Sequence, residues 1–286
     1  MTAVLLSAGY ATRLYPLTKR CPKALLRLGS KGRQPPRVIL DEVVSSVSRV
    51  PQLRRRILVT NHRFAGRFRA WRRARGADLE VLDDGTTSAR MRLGAIGDLL
   101  LAARTIDPRD DLLVIGTDNL FSWSLASFVS AARRHRPAPS VALWRAPSRS
   151  AATQFGVVTR NARSRITAFV EKSPQPPSRD VALCVYYFPS AMRGTIRQFL
   201  EEGERGDAPG HFIGWLVRRG PVYGVMMRGT WYDVGTPEAY RAVVREWRKA
   251  PHHLSFGRRP NSPPPADRTG GGIQFGQTSY VVLRTP

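Results

Sequence analysis

LLSAGYATRLYPLTKRCPKALL, residues 5–26, starts inside an apolar run, Ala3-Val4-Leu5-Leu6. It breaks at Ser7-Ala8-Gly9 into a loop whose cations include Arg13 and Lys23, ten residues apart. A buried strand that empties into a glycine-containing loop with fixed cations is a way to hold phosphates. Backbone N–H groups cradle the anion and the side chains neutralise it. Neither common phosphate loop is present, since no G-x-x-x-x-G-K-[ST] and no G-x-G-x-x-G follows the strand.

Outward from this loop, the first half alternates strand-like and helix-like segments. Ala3–Ser7, Arg56–Thr60, Leu79–Leu82 and Leu112–Gly116 read as strands, and Val38–Ser48, Phe64–Arg75, Leu93–Arg104 and Leu125–His135 as helices. Such alternation predicts an α/β fold, a mostly parallel, Rossmann-like sheet covered by helices on both faces. Ligands of such sheets sit at the carboxyl ends of the strands, where both the Ser7–Lys23 loop and Thr117-Asp118 fall. The second half is richer in strands: Val141–Arg145, Phe155–Thr159, Ile166–Glu171, Val181–Phe188 and Val222–Met227. Met192–Glu201, Phe212–Val217 and Thr236–Trp247 read as helices. From about Pro251 prolines, glycines and arginines dominate, a composition that predicts a disordered tail over 251–286. Within that tail, His252-His253 reads as a solvated pair and Tyr280–Leu283 as at most an added edge strand.

The net charge of +25 rests on 46 Lys and Arg, of which only Lys19, Lys23, Lys31, Lys172 and Lys249 are lysine. Arginines scattered near element ends, as in Arg54-Arg55-Arg56 and Arg133-Arg134-Arg136, do not form one patch interleaved with aromatics. Nucleic acid is therefore not the expected partner, although a basic surface attracts nucleoside triphosphates. No apolar run approaches a membrane span, and the N-terminus lacks the basic start of a signal peptide. Cys21 and Cys184, the only cysteines, read as reduced thiols, and the expected location is cytoplasmic. Cys21 lies in the phosphate loop and reads as a small loop residue.

The loop resembles the signature of the sugar-phosphate nucleotidylyltransferases, roughly [AG]-G-x-[AG]-T-R-L-x-P-L-T followed by P-K-x-L-L. Gly9, Thr12, Arg13, Leu14, Pro16, Leu17, Thr18, Pro22, Lys23, Leu25 and Leu26 match. Four further segments resemble the same family in order. In Leu82–Ala95, LDDGTTSARMRLGA, the resemblance implies a base-contacting loop, with Asp84, Gly85 and Gly94 near the nucleotide. Asp83 and Asp84 stand where relatives usually place an amide, which leaves the base open. Leu112–Phe121, LLVIGTDNLF, matches a segment whose Asp ligates metal, here Asp118. Phe155–Lys172 resembles [YF]-G-[VI]-[VI] … E-K-P. This implies that Gly156 lets the sugar approach, Glu171 accepts its hydroxyls and Lys172 meets its phosphate. Gly229–Tyr240, GTWYDVGTPEAY, implies Asp233 as the second metal carboxylate, with Trp231 beside the substrate.

What the resemblance implies is a Mg²⁺-dependent transferase joining a nucleoside triphosphate, dTTP or UTP first, to a sugar 1-phosphate such as glucose 1-phosphate. Arg13 and Lys23 are the expected catalytic cations, Ala8, Gly9 and Thr12 nucleotide contacts, and Asp118 and Asp233 the Mg²⁺ ligands. The catalytic unit is expected over 1–250, with the nucleotide part to about 140 and a smaller strand-rich sugar-binding part over about 141–250. A cytidylyltransferase using another phosphorylated acceptor such as phosphocholine, and a non-catalytic binding relative, are the alternatives. A homo-oligomer is compatible with the sequence. No hexapeptide repeat is present, so the acetyltransferase activity of bifunctional relatives is not expected.

Overall fold

The computed structural model describes residues 1–29, 36–203 and 208–249. Residues 30–35, 204–207 and 250–286, the last including the expected 251–286 tail, lie outside them. Strands β1 (Thr2–Leu6), β2 (Arg27–Gly29) and β3 (Arg37–Val38) precede helix α1 (Ile39–Ser48). Next come β4 (Arg55–Thr60), α2 (His62–Arg75), β5 (Glu80–Asp83), α3 (Gly94–Ala103), β6 (Leu112–Gly116), β7 (Asn119–Phe121) and α4 (Leu125–Arg133). The second half holds β8 (Ser140–Arg145), α5 (Arg149–Ala152), β9 (Gly156–Arg160), β10 (Ile166–Glu171) and β11 (Asp180–Phe188). It ends with α6 (Arg193–Glu201), α7 (Pro209–Arg219), β12 (Tyr223–Met226), β13 (Trp231–Asp233) and α8 (Pro237–Lys249).

Nine strands form one sheet. Across it run β12, β8, β11, β6, β1, β4 and β5, and only β11 opposes the rest. The pair β9–β10 joins at the first residues of β11. A register shift between Ala182 and Tyr186 lets β11 serve both ends, pairing with β9 near its start and with β6 near its finish. Strands from both sides of residue 140 thus share one sheet.

Strands buried on both faces are apolar at every position, and alternate side chains feed opposite cores. Ala3 and Leu5 of β1, with Leu113 and Ile115 of β6, pack toward α1, α2 and α4, where Val43, Phe68 and Phe128 lie. Val4, Leu112 and Val114 face α3, α6 and α7, meeting Leu99, Phe199 and Phe212. Helix starts follow their caps: Asn61 accepts from the Phe64 N–H at 3.1 Å, and Thr236 from the Ala239 N–H at 3.2 Å ahead of Pro237.

Two ribbons and one short helix lie outside what the sequence predicted. β2 pairs with β3, β7 with β13, and α5 is one turn. Strands of two or three residues carry no periodic signal; they exist because a distant segment pairs with them. The β7–β13 ribbon continues from the carboxyl end of β6.

Candidate active site

The carboxyl ends of β1 and β6 are stitched together by Thr117, whose hydroxyl donates to the Leu6 carbonyl at 3.0 Å and lies 2.9 Å from Ser7 Oγ. Beyond that stitch the two cation-bearing turns emerge. Thr12 and Arg13 form an exposed 3-10 turn, and Lys23 begins a second one behind Pro22. Gly9 is exposed, and a Cβ there would meet nothing within 4 Å. The protein's own packing leaves that space free, as a phosphate-holding loop requires. Ala8 is buried, and its carbonyl accepts from Asn61 Nδ2 at 2.8 Å.

Lys23 Nζ reaches Asp118 Oδ2 at 2.9 Å, and Asn119 Nδ2 donates to Asp118 Oδ1 at 2.8 Å. β13 lies antiparallel to β7, with Asp233 opposite Asn119, which sets the second carboxylate beside the first. Close approach is built in by glycine: a Cβ on Gly116 would lie 2.9 Å from Asp118 Oδ1, and one on Gly235 2.7 Å from Asp233 Oδ2. Burial works to raise the Asp118 pKa, but the Lys23 ammonium and the donated hydrogen bonds outweigh it and hold the carboxyl below its ordinary range. Asp233 is pushed up to about 6, first by burial and then by the Asp118 charge, while Lys23, Arg13 and Lys172 pull the other way. Four residues from three other motifs, Asp118, Lys23, Arg13 and Lys172, thus bear on Asp233.

Among the described residues no group of three or more His, Cys, Asp or Glu side chains is gathered for a metal. Asp118 and Asp233 could still hold a divalent cation of the Mg²⁺ kind, which takes one or two carboxylates and fills its sphere with substrate oxygens and water. The donor set fits: two oxygen ligands, one of them a carboxyl that accepts no hydrogen bond among the described residues and is destabilised by its neighbour's charge.

Glu171 closes β10 opposite Gly156, and Lys172 follows in a left-handed conformation, φ 46°, unusual for a residue with a side chain. The resemblance gave Gly156 the task of admitting the sugar. In the structure its face is covered instead: a Cβ there would lie 2.5 Å from the Phe169 ring and 3.0 Å from Glu171 Oε2, so Gly156 seats those two side chains. Beside Glu171 opens a cavity of about 480 Å³ lined by Phe169, Gly210, His211, Gly214 and Arg218.

Two further expectations change. Trp231 was expected beside the substrate. It lies in the core at 7 % exposure, edge-on to Phe155, and its indole N–H donates to Asn119 Oδ1 at 2.8 Å. It therefore acts on Asp118 through Asn119. Asp84 was expected at the base, but its Oδ2 is buried and turned inward, while Oδ1 accepts from the Thr86 N–H at 2.7 Å. Gly85 (φ 77°) is exposed at the turn, and Gly94 (φ 77°) opens α3, so backbone conformation itself calls for glycine at both. Asn119, Tyr10 and Asp98 were not singled out from the sequence. Neither cysteine is activated: burial raises Cys21, and burial with the Asp118 charge pushes Cys184 to about 12.

Set against known proteins, residues 2–249 match the sequence profile described as nucleotidyl transferase. A glucose-1-phosphate adenylyltransferase of Thermosipho africanus is 24 % identical over 84 % of this chain and 60 % of its own length. The bifunctional protein GlmU of Methanococcus aeolicus is 26 % identical over 83 % of the chain and 52 % of its own. The mannose-1-phosphate guanylyltransferase catalytic subunit beta of Danio rerio is 25 % identical over 90 % and 69 %. The chain thus spans little more than half the length of the first two. A crystal structure of a Bacillus anthracis protein described as a glucose-1-phosphate thymidylyltransferase, in complex with sucrose, superposes with a TM-score of 0.71. That match runs over 87 % of this chain and 95 % of the other at 21 % identity, and it shows the shared fold. With the profile running from β1 through α8, the chain belongs to the nucleotidyl transferase family.

Proposed function

We propose that the chain is a sugar-1-phosphate nucleotidylyltransferase. A phosphate oxygen of the sugar 1-phosphate attacks the α-phosphorus of a nucleoside triphosphate, the bond to the β-phosphate oxygen breaks, and pyrophosphate leaves. The observation that carries this reading is the convergence of Lys23, Asp118 and Asp233, with Arg13 and Lys172 acting on Asp233, at the carboxyl ends of the sheet. Two polyanions that repel each other must be brought in line, and no covalent protein nucleophile is needed.

Arg13, exposed and making no ion pair among the described residues, is free to take the β- and γ-phosphates. Lys23 holds Asp118 in place and stands beside the α-phosphate position. Lys172 meets the sugar phosphate, and Glu171 accepts sugar hydroxyls at the mouth of the adjoining cavity. A Mg²⁺ ion held by Asp118 and Asp233 would draw α-phosphate oxygens toward it and offset the charge that grows there.

Relatives named for adenylyl and guanylyl transfer to glucose or mannose 1-phosphate stand beside a motif that favours dTTP or UTP, so the test covers every base. Pyrophosphate release is measured with Mg²⁺, glucose 1-phosphate or mannose 1-phosphate, and each of dTTP, UTP, CTP, GTP and ATP, against Asp118→Ala. Release with one triphosphate, lost in the variant, supports the reading. Silence over the whole panel, in a protein that melts as a folded domain, overturns it.

A further inference from the structure

The loop after β5 forms one wall of the proposed nucleotide site, and what holds it is unusual. Asp98 lies in the second turn of α3, 5 % exposed, and its carboxyl faces that of Asp84 within hydrogen-bonding reach. Asp84 Oδ2 and Asp98 Oδ1 are both buried and meet no donor. Two ionised carboxylates have no hydrogen to share, so this contact requires a proton between them.

The contact continues toward the phosphate loop. Asp84 Oδ1 accepts from the Thr86 N–H at 2.7 Å, and the Thr86 carbonyl accepts from the Tyr10 hydroxyl at 3.0 Å and the His62 N–H at 2.9 Å. Tyr10 directly follows Gly9. A chain of polar contacts thus runs from α3 through the base-side loop to the loop that would cradle phosphates.

We infer that Asp98 is a positioning residue: it holds a proton in common with Asp84 and, through Asp84 and Thr86, fixes the base-side wall of the nucleotide site against Tyr10. The inference deepens the proposed nucleotidyl transfer and rests on it for the identity of the ligand. Burial, and then the Asp84 charge, push Asp98 up to about 8, which leaves it protonated at neutral pH. Among the described residues no cation acts on Asp98. α3 packs on β1, β4, α6 and α7, and β1 carries no charged side chain. Arg55 and Arg56 of β4 pair with Glu80 and Asp78. Arg193 of α6 holds the carbonyls of Ala103 and Ile106, and Arg197 pairs with Glu201. On α7, His211 and Arg218 line the cavity beside Glu171, and Arg219 pairs with Glu202. Asp83, next to Asp84, pairs with His62. Among the described residues, Asp84 is the only charged group that acts on Asp98.

When the shared proton leaves, two charges lie buried side by side. Asp84 is driven off, Thr86 loses its acceptor and the wall loosens. The test uses the full chain and two variants: Asp98→Asn, whose amide donates to Asp84 at every pH, and Asp98→Ala, which removes the donor. Between pH 7 and 9.5 the wild-type KM for triphosphate should rise at least fivefold, while that of Asp98→Asn stays within twofold. Asp98→Ala should show the raised KM throughout, and kcat should move less than KM in all three. Superimposable KM profiles for wild type and Asp98→Asn would overturn the inference.

A melting series needs no substrate. A carboxyl whose folded pKa is raised contributes stability at low pH that is lost as pH climbs from its ordinary 3.8 to about 8. Asp98→Asn should therefore melt progressively higher than wild type across that window, with a constant gap above it. Parallel melts would refute the shared proton. Diverging melts in a protein that binds no triphosphate would refute the positioning role and the nucleotide reading together, and leave the proton pair standing.

Discussion

Replacing Trp231 by Phe separates the arrangement seen here from the one the sequence suggested. The indole N–H satisfies Asn119 Oδ1 at 2.8 Å, in a residue only 4 % exposed, and Asn119 in turn donates to Asp118. Phe keeps the aromatic packing on Phe155 and Trp144 but leaves a buried acceptor without a donor, a loss of roughly 1–3 kcal/mol. The smaller ring leaves roughly 40 Å³ unfilled, adding about 1 kcal/mol. A total of roughly 2–4 kcal/mol corresponds, for a chain of this size, to a melting point lower by about 10 °C. With Asn119 released, Asp118 loses one of its two side-chain donors, and a further ~1.4 kcal/mol in the transition state would lower kcat about tenfold. The assay pairs a thermal melt with steady-state pyrophosphate release at varied sugar 1-phosphate. The expected result is a lower melting point and lower kcat with KM for the sugar little changed. An unchanged melting point with a sugar KM raised severalfold would refute the argument, because it would put Trp231 on the substrate. Combining Trp231→Phe with Asn119→Ala should give much less than the sum of the single effects, since both act through one hydrogen bond.

Other perturbations follow from the same geometry. Lys23→Arg should fail to restore what Lys23→Ala loses, at least a hundredfold in kcat, because a planar fork does not fit where a compact ammonium sits 2.9 Å from Asp118; near-normal turnover of the Arg variant would count against this. Lys172→Gly should move stability and activity in opposite directions, with melting raised by relief of about 1 kcal/mol of left-handed strain and turnover lowered by loss of the ammonium. Cys184, with its thiol pKa pushed to about 12, should resist iodoacetamide at pH 8 in the folded chain and react once denaturant is added, as mass spectrometry would show.

What could be read in advance follows from how far each role depends on sequence-local structure. Arg13, Lys23 and Asp118 each follow a strand of the main sheet, so strand–helix alternation alone puts them at one edge of it, whereas Asp233 is brought there by the β7–β13 ribbon. The roles of Trp231 and Asn119 depend on pairing between β7 and β13, which are three residues each and far apart in the chain. Nothing periodic marks such a ribbon. Asp98 did leave a trace: it is the one charged residue in GAIGDLLLAA, a helix otherwise apolar on every side. A lone acid in that setting must find a hydrogen bond or give up its charge, and here it shares a proton with Asp84. The left-handed turn at Lys172, by contrast, is imposed by the link from its N–H to the Phe155 carbonyl, 3.2 Å away.

The two ends of the sheet show why some acids carry chemistry and others only hold the fold. At the amino ends, Asp110 takes the Met1 ammonium at 3.0 Å and the Thr2 hydroxyl at 2.8 Å. Its neighbour Asp111 accepts from the Tyr187 hydroxyl at 2.5 Å and the Ser190 N–H at 3.0 Å, with Arg136 at 3.2 Å. Those carboxylates are satisfied by groups fixed in the backbone or the core, and a ligand could offer them nothing more. At the carboxyl ends, Asp233 accepts no hydrogen bond among the described residues, Asp118 accepts from Lys23 and the Asn119 amide, and the glycines at 116 and 235 let both carboxylates lie close against the backbone. Carboxylates held together against their own repulsion, with too few donors to quiet them, are stabilised by whatever cation and phosphate chemistry enters the cleft. That deficit is the physical basis for assigning the reaction to this end of the sheet.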